Sequence, residues 1–243
     1  MFDNEIKFIA SKKYIDSTEI FPEPSVLSIP LWYKELKHSP ELKTVKGCMP
    51  FLDTLTTGYI IKMPVDYHLT HNLKKDGNRY AKGYTEIYDT AGVNLNTKEN
   101  NDAHPIIQVG KKCPFASKNK DLPFHKIYNP WTIKTPPGYS CLFLPPMNNS
   151  DDRFSIIPGI VDTDTFISEV NFPIVINGDK YPMLETTIEM GTPLVQVIPF
   201  KREKWKMKVD SKGGLSKIKI NFLQRLKMIN VYKSKWWSKK TWK

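Results

Sequence analysis

Asp162 and Asp164 stand at the end of Gly159-Ile160-Val161-Asp162-Thr163-Asp164, where an apolar run enters a turn and presents two carboxylates. A carboxylate placed there can act as a general base toward water, or bind a ribose hydroxyl or a metal-bound water. The same residues also suit an Asx-type turn that closes a strand. His68 and His71 are three apart, with His104 and His125 elsewhere in the chain. Metal ligands must converge on one point. Along a strand, a spacing of three sends side chains to opposite faces, so these two fit one metal only if the strand ends before His71. The three cysteines, Cys48, Cys113 and Cys141, are far apart and form no C-x-x-C pair. They predict neither a disulfide framework nor a thiolate zinc site, and read as thiols of a reducing compartment. The chain has no Ser-His-Asp order, H-E-x-x-H, P-loop or Rossmann fingerprint.

A second chemical feature is the charge at the C-terminal end. Residues 201–243 hold 15 Lys or Arg against Glu203 and Asp210, a net +13. The chain as a whole is +11, so the first 200 residues carry −2. Four of the six tryptophans, Trp205, Trp236, Trp237 and Trp242, share this basic segment. Basic charge attracts phosphate, and indoles stack on bases or sit at lipid interfaces. Within the segment, KREKWKMKVD (201–210) alternates like an edge strand guarded by lysines. Ser211 to Gly214 reads as a turn. Leu215, Ile218, Phe222, Leu226, Ile229, Tyr232 and Trp236 then recur at helical spacing. The spacing predicts a basic amphipathic helix over 215–237, with Lys217, Arg225, Lys227 and Lys235 on the face opposite the apolar stripe. Those four are candidate contacts for nucleic acid or another polyanion. A membrane surface, or plain packing of the stripe on the body or a neighbouring subunit, fits the same pattern.

The elements that must position these groups are mostly strands. The 243-residue length suits one domain of ordinary size, or one with an appendage, and 40% apolar residues can build a core. Nineteen prolines argue against a helical bundle. Residues 1–45 read as an N-terminal extension of turns, with one helical turn after Pro30. From Met49 the pattern becomes β. Expected strands are Thr57–Met63, Val65–Leu69, Ile106–Val109, Trp131–Lys134, Ser140–Leu144, Ile156–Val161 with a break at Pro158-Gly159, Glu169–Ile176, Thr186–Glu189 and Leu194–Phe200. Residues 70–80 read as a polar loop with a hairpin tip at Asp76-Gly77, and 89–104 as an exposed insertion. Short strands with frequent turns indicate a mainly β body over 46–209, a sandwich or barrel-like fold, with 210–243 as the helical appendage. No run of 18 apolar residues is present and the first residues do not read as a signal peptide. The expected location is therefore the cytoplasm of the producing or host cell.

The order of motifs over 135–200 resembles the core of trimeric dUTPases, whose β-clip or jelly-roll fold is shared with dCTP deaminases. Thr135-Pro136-Pro137-Gly138-Tyr139 resembles the turn before that family's second motif, and Gly159 to Asp164 its third. Gly191-Thr192-Pro193-Leu194-Val195-Gln196-Val197-Ile198-Pro199 resembles the fourth, and Thr57-Gly58-Tyr59-Ile60-Ile61 the first. The resemblance implies a jelly-roll core, a homotrimer, and magnesium as cofactor if a nucleotide binds. It implies Asp162 as the water-activating base, with Asp164 beside it. It also implies Phe166 in the place of the sugar-stacking tyrosine, and Gln196 as a retained ligand-site glutamine. The departures fall on the phosphate machinery. Ile60 stands where the family has an acid, and Pro146 and Met147 stand where it has an arginine and a serine. The glycine-rich phosphate loop has only an echo in Lys212-Gly213-Gly214, and the gap between the first and second motifs is longer than usual. The segments IPLWYK (29–34), CMPFLD (48–53), NPWTIKTPPGYSCLFLPP (129–146) and FKREKWKM (200–207) are also similar to an uncharacterised protein family of bacteria and tailed phages.

Three functions are consistent with these residues. The first is a dUTPase-like scaffold that lacks orthodox dUTP hydrolysis and acts by binding or assembly. The second is a nucleotide-directed hydrolase with altered chemistry on the same scaffold, using Asp162 and Asp164. The third is a cupin-like metal enzyme built on the histidines.

Overall fold

The computed structural model describes residues 4–39, 41–74, 78–84, 106–110, 112–119, 122, 124–211 and 231–243. The N-terminal segment supplies β1 (Lys7–Ile9), α1 (Lys12–Ser17), β2 (Glu23–Pro24) and α2 (Leu31–Glu35). Next, α3 (Met49–Thr56) leads into β3 (Tyr59–Lys62), β4 (Tyr67–Asn72) and β5 (Tyr80–Tyr84). Two short helices follow, α4 (Ile106–Val109) and α5 (Pro114–Lys118). The second half runs through β6 (His125–Ile127), β7 (Thr132–Lys134), β8 (Tyr139–Leu144), β9 (Phe154–Ile156) and β10 (Gly159–Val161). It continues through β11 (Phe172–Ile176), β12 (Met183–Ile188) and β13 (Pro193–Lys201), and α6 (Val231–Lys235) lies near the C-terminus.

The chain is mainly β, and its strands pair antiparallel. A five-stranded sheet has the order β10-β8-β13-β3-β2. Two three-stranded sheets, β6-β11-β9 and β12-β4-β5, and the pair β1-β7 complete the set. One core joins them. Ile61 of β3, Leu69 of β4, Cys141 and Phe143 of β8, Ile174 and Ile176 of β11, and Val195 and Val197 of β13 all belong to it. Each such aliphatic side chain contributes about 1.5–3 kcal/mol by leaving water. The alternation along β4 is plain, with Tyr67, Leu69 and His71 inward and His68, Thr70 and Asn72 less buried. β11 is covered on both faces, as a central strand requires. β1 and β2 pair with β7 and β3, so the N-terminal segment lends strands to the sheets of the body.

Gly58 marks where α3 hands over to β3. Its φ is +71°, and a Cβ there would lie 2.1 Å from the Val197 carbonyl oxygen. Only glycine lets β3 start this close to β13.

Three expectations are corrected. Met49–Thr56 is a helix, because Pro50 suits a first turn, and Met49 and Leu55 are its buried residues. Ile106–Val109 is also helical, since four residues, Ile-Ile-Gln-Val, are too few to carry a period that separates helix from strand. Residues 202–211 form no strand. β13 ends at Lys201 because its partner β8 begins at Tyr139, and beyond that point no ladder is offered. The hairpin tip at Asp76-Gly77, the insertion 89–104 and most of the helix expected over 215–237 lie outside the described residues. Its described end is the short α6.

His71 carries a pH prediction. Its Nε2 donates to the Tyr181 carbonyl at 2.8 Å, while buried Nδ1 has no partner among the described residues. Burial pushes its pKa below the usual 6.5, because taking the ring out of water disfavours its charged form. The unfolded chain therefore binds that proton first. Stability is intact above about pH 6.5 and falls as the pH drops below it. Thermal unfolding from pH 8 to 5 should show this decline, and His71→Gln, which can still donate to Tyr181, should flatten it. An unchanged decline in the variant would assign it to other groups.

Candidate functional site

The turn after β10 is built from backbone first. Phe166 N–H donates to the Asp162 carbonyl at 2.9 Å and Thr165 N–H to the same oxygen at 3.1 Å. Thr163 points inward and is fully buried, its hydroxyl within 2.8 Å of Thr135 Oγ1 and 3.3 Å of Cys141 Sγ. Burial raises the Cys141 thiol to about 11, so it remains protonated and inert.

The two aspartates flanking Thr163 have different environments. Asp164 is tied down, with a side chain only 7% exposed. It accepts from Gly138 N–H at 2.8 Å and is gripped by both terminal nitrogens of Arg202, one of them at 2.9 Å from Oδ1. The guanidinium and the Gly138 amide hold its pKa down, to about 2 against an ordinary 3.8. Its contribution to stability is therefore present above about pH 4 and lost as the pH falls toward 2. A carboxylate held this way is a poor base at neutral pH. Asp162 is freer, at 61% side-chain exposure. Its Oδ1 accepts from the Ser140 hydroxyl at 2.6 Å and lies 3.3 Å from Arg202 Nη1. That leaves an oriented, exposed carboxylate able to accept a proton or a hydroxyl hydrogen bond.

Gln196 lies elsewhere. It pairs with Leu144 of β8, whereas Asp162 bonds to Ser140. Four residues of strand separate these positions by about 13 Å. Gln196 is buried and its amide is spent inside the protein. Nε2 donates to the carbonyls of Thr57 at 2.7 Å and Thr54 at 3.0 Å, and Oε1 accepts from Met147 N–H at 2.9 Å. Phe166 is partly exposed near Asp162, and its carbonyl accepts from Lys134 Nζ at 2.7 Å. Asp162, Asp164 and Phe166 thus share one turn, and Gln196 does not join them. An open depression of about 740 Å³ is lined by Glu35, Lys37, His38, Leu42 and Lys46 among others, and by none of these four.

Ile60 is buried in β3. Met147 serves Gln196 through its backbone. His68 and His71 lie on opposite faces of β4, and His68 Nδ1 is 2.9 Å from Thr187 Oγ1. Among the described residues no group of three or more His, Cys, Asp or Glu is arranged to hold a metal.

Of the candidate polyanion contacts, Lys217, Arg225 and Lys227 lie outside the described residues, as does Lys212-Gly213-Gly214, while Lys235 is exposed on α6. Trp237 and Trp242 are engaged by the body. Trp237 Nε1 donates to both Asp53 oxygens at 3.1 Å, Lys240 also pairs with Asp53, and Trp242 meets Tyr59 edge-on at 5.9 Å.

The sequence reading missed Arg202, Ser140 and Asp53. Arg202 and Ser140 had no local signal, because they meet Asp164 and Asp162, 38 and 22 residues away, only through the registers of β13 and β10 on β8. Asp53 had none either, because its partners lie 184 and 187 residues away.

The chain matches no protein-family model and no curated protein. No helix among the described residues is long and apolar enough to cross a membrane.

Replacing Gln196 by Leu keeps most of the volume but leaves the Thr54 carbonyl and the Met147 amide without this partner and removes one of the two donors to the Thr57 carbonyl, which keeps Ser25 Oγ at 2.9 Å. The expected loss is about 3 kcal/mol, a fall of roughly 6–12 °C in Tm. A loss below about 1 kcal/mol by urea unfolding would mean that water replaces the amide at no cost.

Proposed function

We propose that the chain is a dUTPase-like scaffold that acts by binding or assembly, in a bacterial or tailed-phage setting, and has lost orthodox dUTP hydrolysis. The observation that carries this reading is the fate of Gln196. In a ligand site its amide must face the ligand, and here all of its hydrogen-bonding directions toward Thr54, Thr57 and Met147 are taken by the protein. The losses at Ile60, Pro146 and Met147 point the same way. They remove the charge that would stabilise a phosphoryl-transfer transition state.

Asp162 supports the second reading, a nucleotide-directed hydrolase with altered chemistry that would employ magnesium. It is exposed, and Ser140 fixes its direction.

The test is turnover. With dUTP and magnesium, no hydrolysis is expected in the usual enzymatic range of roughly 1–1,000 per second. Hydrolysis in that range, lost in Asp162→Asn, would overturn the assembly reading in favour of the second. A mass of three chains by light scattering is expected for the assembled protein, as the family resemblance implies; one chain at micromolar concentration would contradict it.

The basic segment is proposed to bind nucleic acid or another polyanion. Its support is the +13 over 201–243 against a nearly neutral remainder, with Lys233 and Lys235 exposed. Binding through about four phosphates should weaken roughly 100-fold between 50 and 200 mM salt. Lys217, Arg225, Lys227 and Lys235 changed together to Glu should abolish retention on heparin. Retention equal to that of the wild type would make these lysines merely solvated.

A further inference from the structure

The chain leaves β13 in a fixed direction. Lys201 pairs with Tyr139, Arg202 N–H donates to the Gly138 carbonyl at 2.8 Å, and the Arg202 guanidinium is locked on Asp164. Beyond this clamp, residues 203–211 are exposed and belong to no sheet. Trp205, Met207 and Val209 are 87%, 87% and 85% exposed. In extended chain, residues two apart share a side. Two ion pairs join residues at that spacing, Lys201 with Glu203 at 3.8 Å and Lys208 with Asp210 at 3.1 Å. One side of the arm thus carries Trp205, Met207 and Val209, and the other Lys204, Lys206 and Lys208. This is the pattern of a strand with one buried face, and no described residue covers that face.

A complementary surface is present on the same molecule. β10 is the outer strand of the five-stranded sheet and, among the described residues, pairs only with β8. No described residue pairs with its other backbone edge. Ile160 is 63% exposed on it, and Phe166 and Ile167 are exposed just after it. Around this edge Asp162, Asp164 and Glu169 outnumber Arg202, which grips Asp164, and Lys134, whose ammonium donates to the Phe166 carbonyl. Past Arg202 the arm carries Lys204, Lys206 and Lys208 against Glu203 and Asp210, so the edge is net negative by one, the arm net positive by one, and both expose apolar side chains.

The arm cannot reach this edge in its own chain without a reversal. β13 and β10 each run antiparallel to β8, so the arm leaves in the direction in which β10 runs, with β8 between them. No glycine or proline occurs between Pro199 and Gly213 to make the turn.

We infer that residues 203–210 add as an outer strand to β10 of a second copy of this chain. Trp205, Met207 and Val209 then lie against Ile160, Phe166 and Ile167, and the net positive arm lies within a Debye length of Asp162 and Glu169. Backbone pairing supplies the attachment and the side chains set its register. This deepens the assembly reading by naming a surface and a partner, and rests on it.

The test uses the full chain. Wild type at micromolar concentration should have a mass above one chain. Trp205→Asp, Met207→Asp and Val209→Asp together should reduce it to one chain, as should Ile160→Asp. Circular dichroism and melting should be those of a folded single chain, since all four side chains are exposed. In a Cys48→Ser, Cys113→Ser background, chains bearing Met207→Cys should form disulfide dimers when mixed with chains bearing Ile160→Cys. A wild-type monomer overturns this contact and the assembly reading together. A wild-type assembly that survives the arm substitutions overturns the contact alone. Dissociation by the arm substitutions, with neither an Ile160→Asp effect nor the mixed disulfide, overturns β10 as the acceptor.

Discussion

A buried side-chain amide must find partners for both of its ends, and much of the fold is arranged to supply them to Gln196. Its nitrogen reaches the carbonyls of Thr54 and Thr57, two of the acceptors that the C-terminal turn of α3 leaves open. Its oxygen takes Met147 N–H from the loop after β8. One residue of a central strand therefore fixes a helix end and a loop. The consequences spread outward. α3 must end where Gly58 can pass under the Val197 carbonyl, and the loop must turn through Asn148, whose φ of 59° is left-handed. Asn148 then bonds back to Thr54 Oγ1 at 2.7 Å and closes the ring of contacts. An amide committed in this way is not offered to a ligand.

The other end of β8 is governed by charge. Asp164 and Arg202 neutralise one another, Gly138 adds a backbone donor, and Ser140 sits between Asp162 and the guanidinium. Such a cluster costs the ordering of one long side chain and fastens three segments. These are the turn before β8, the turn after β10 and the exit from β13. It explains why two neighbouring aspartates differ so much in exposure, and why the arm after Arg202 departs in a set direction.

Strands whose apolar residues face a core were legible from sequence. Ser140–Leu144, Leu194–Phe200 and the break at Pro158-Gly159 correspond to β8, β13 and the division of β9 from β10. Short segments were not. Met49–Thr56 and Ile106–Val109 are too brief for periodicity to separate helix from strand, and Pro50 was the overlooked signal. The alternation of 201–210 predicts an edge strand, and past Lys201 none forms, because pairing depends on where β8 stops. In the candidate site the turn carrying Asp162, Asp164 and Phe166 was legible as a unit. The separation of Gln196 was not, since it follows from the register Gln196 to Leu144, which local sequence does not encode. The roles of Arg202, Ser140 and Asp53 rest on contacts between residues distant in the chain.

The central claim is that Gln196 is a structural fastener whose amide is closed to ligands. Exchange of its side-chain NH₂ protons with solvent, followed by NMR in deuterium oxide, measures this directly. The account predicts slow exchange, protected on the scale of the β13 backbone amides and unaltered by added dUTP and magnesium. Rapid exchange, or an NH₂ resonance that moves on addition of dUTP, would contradict it.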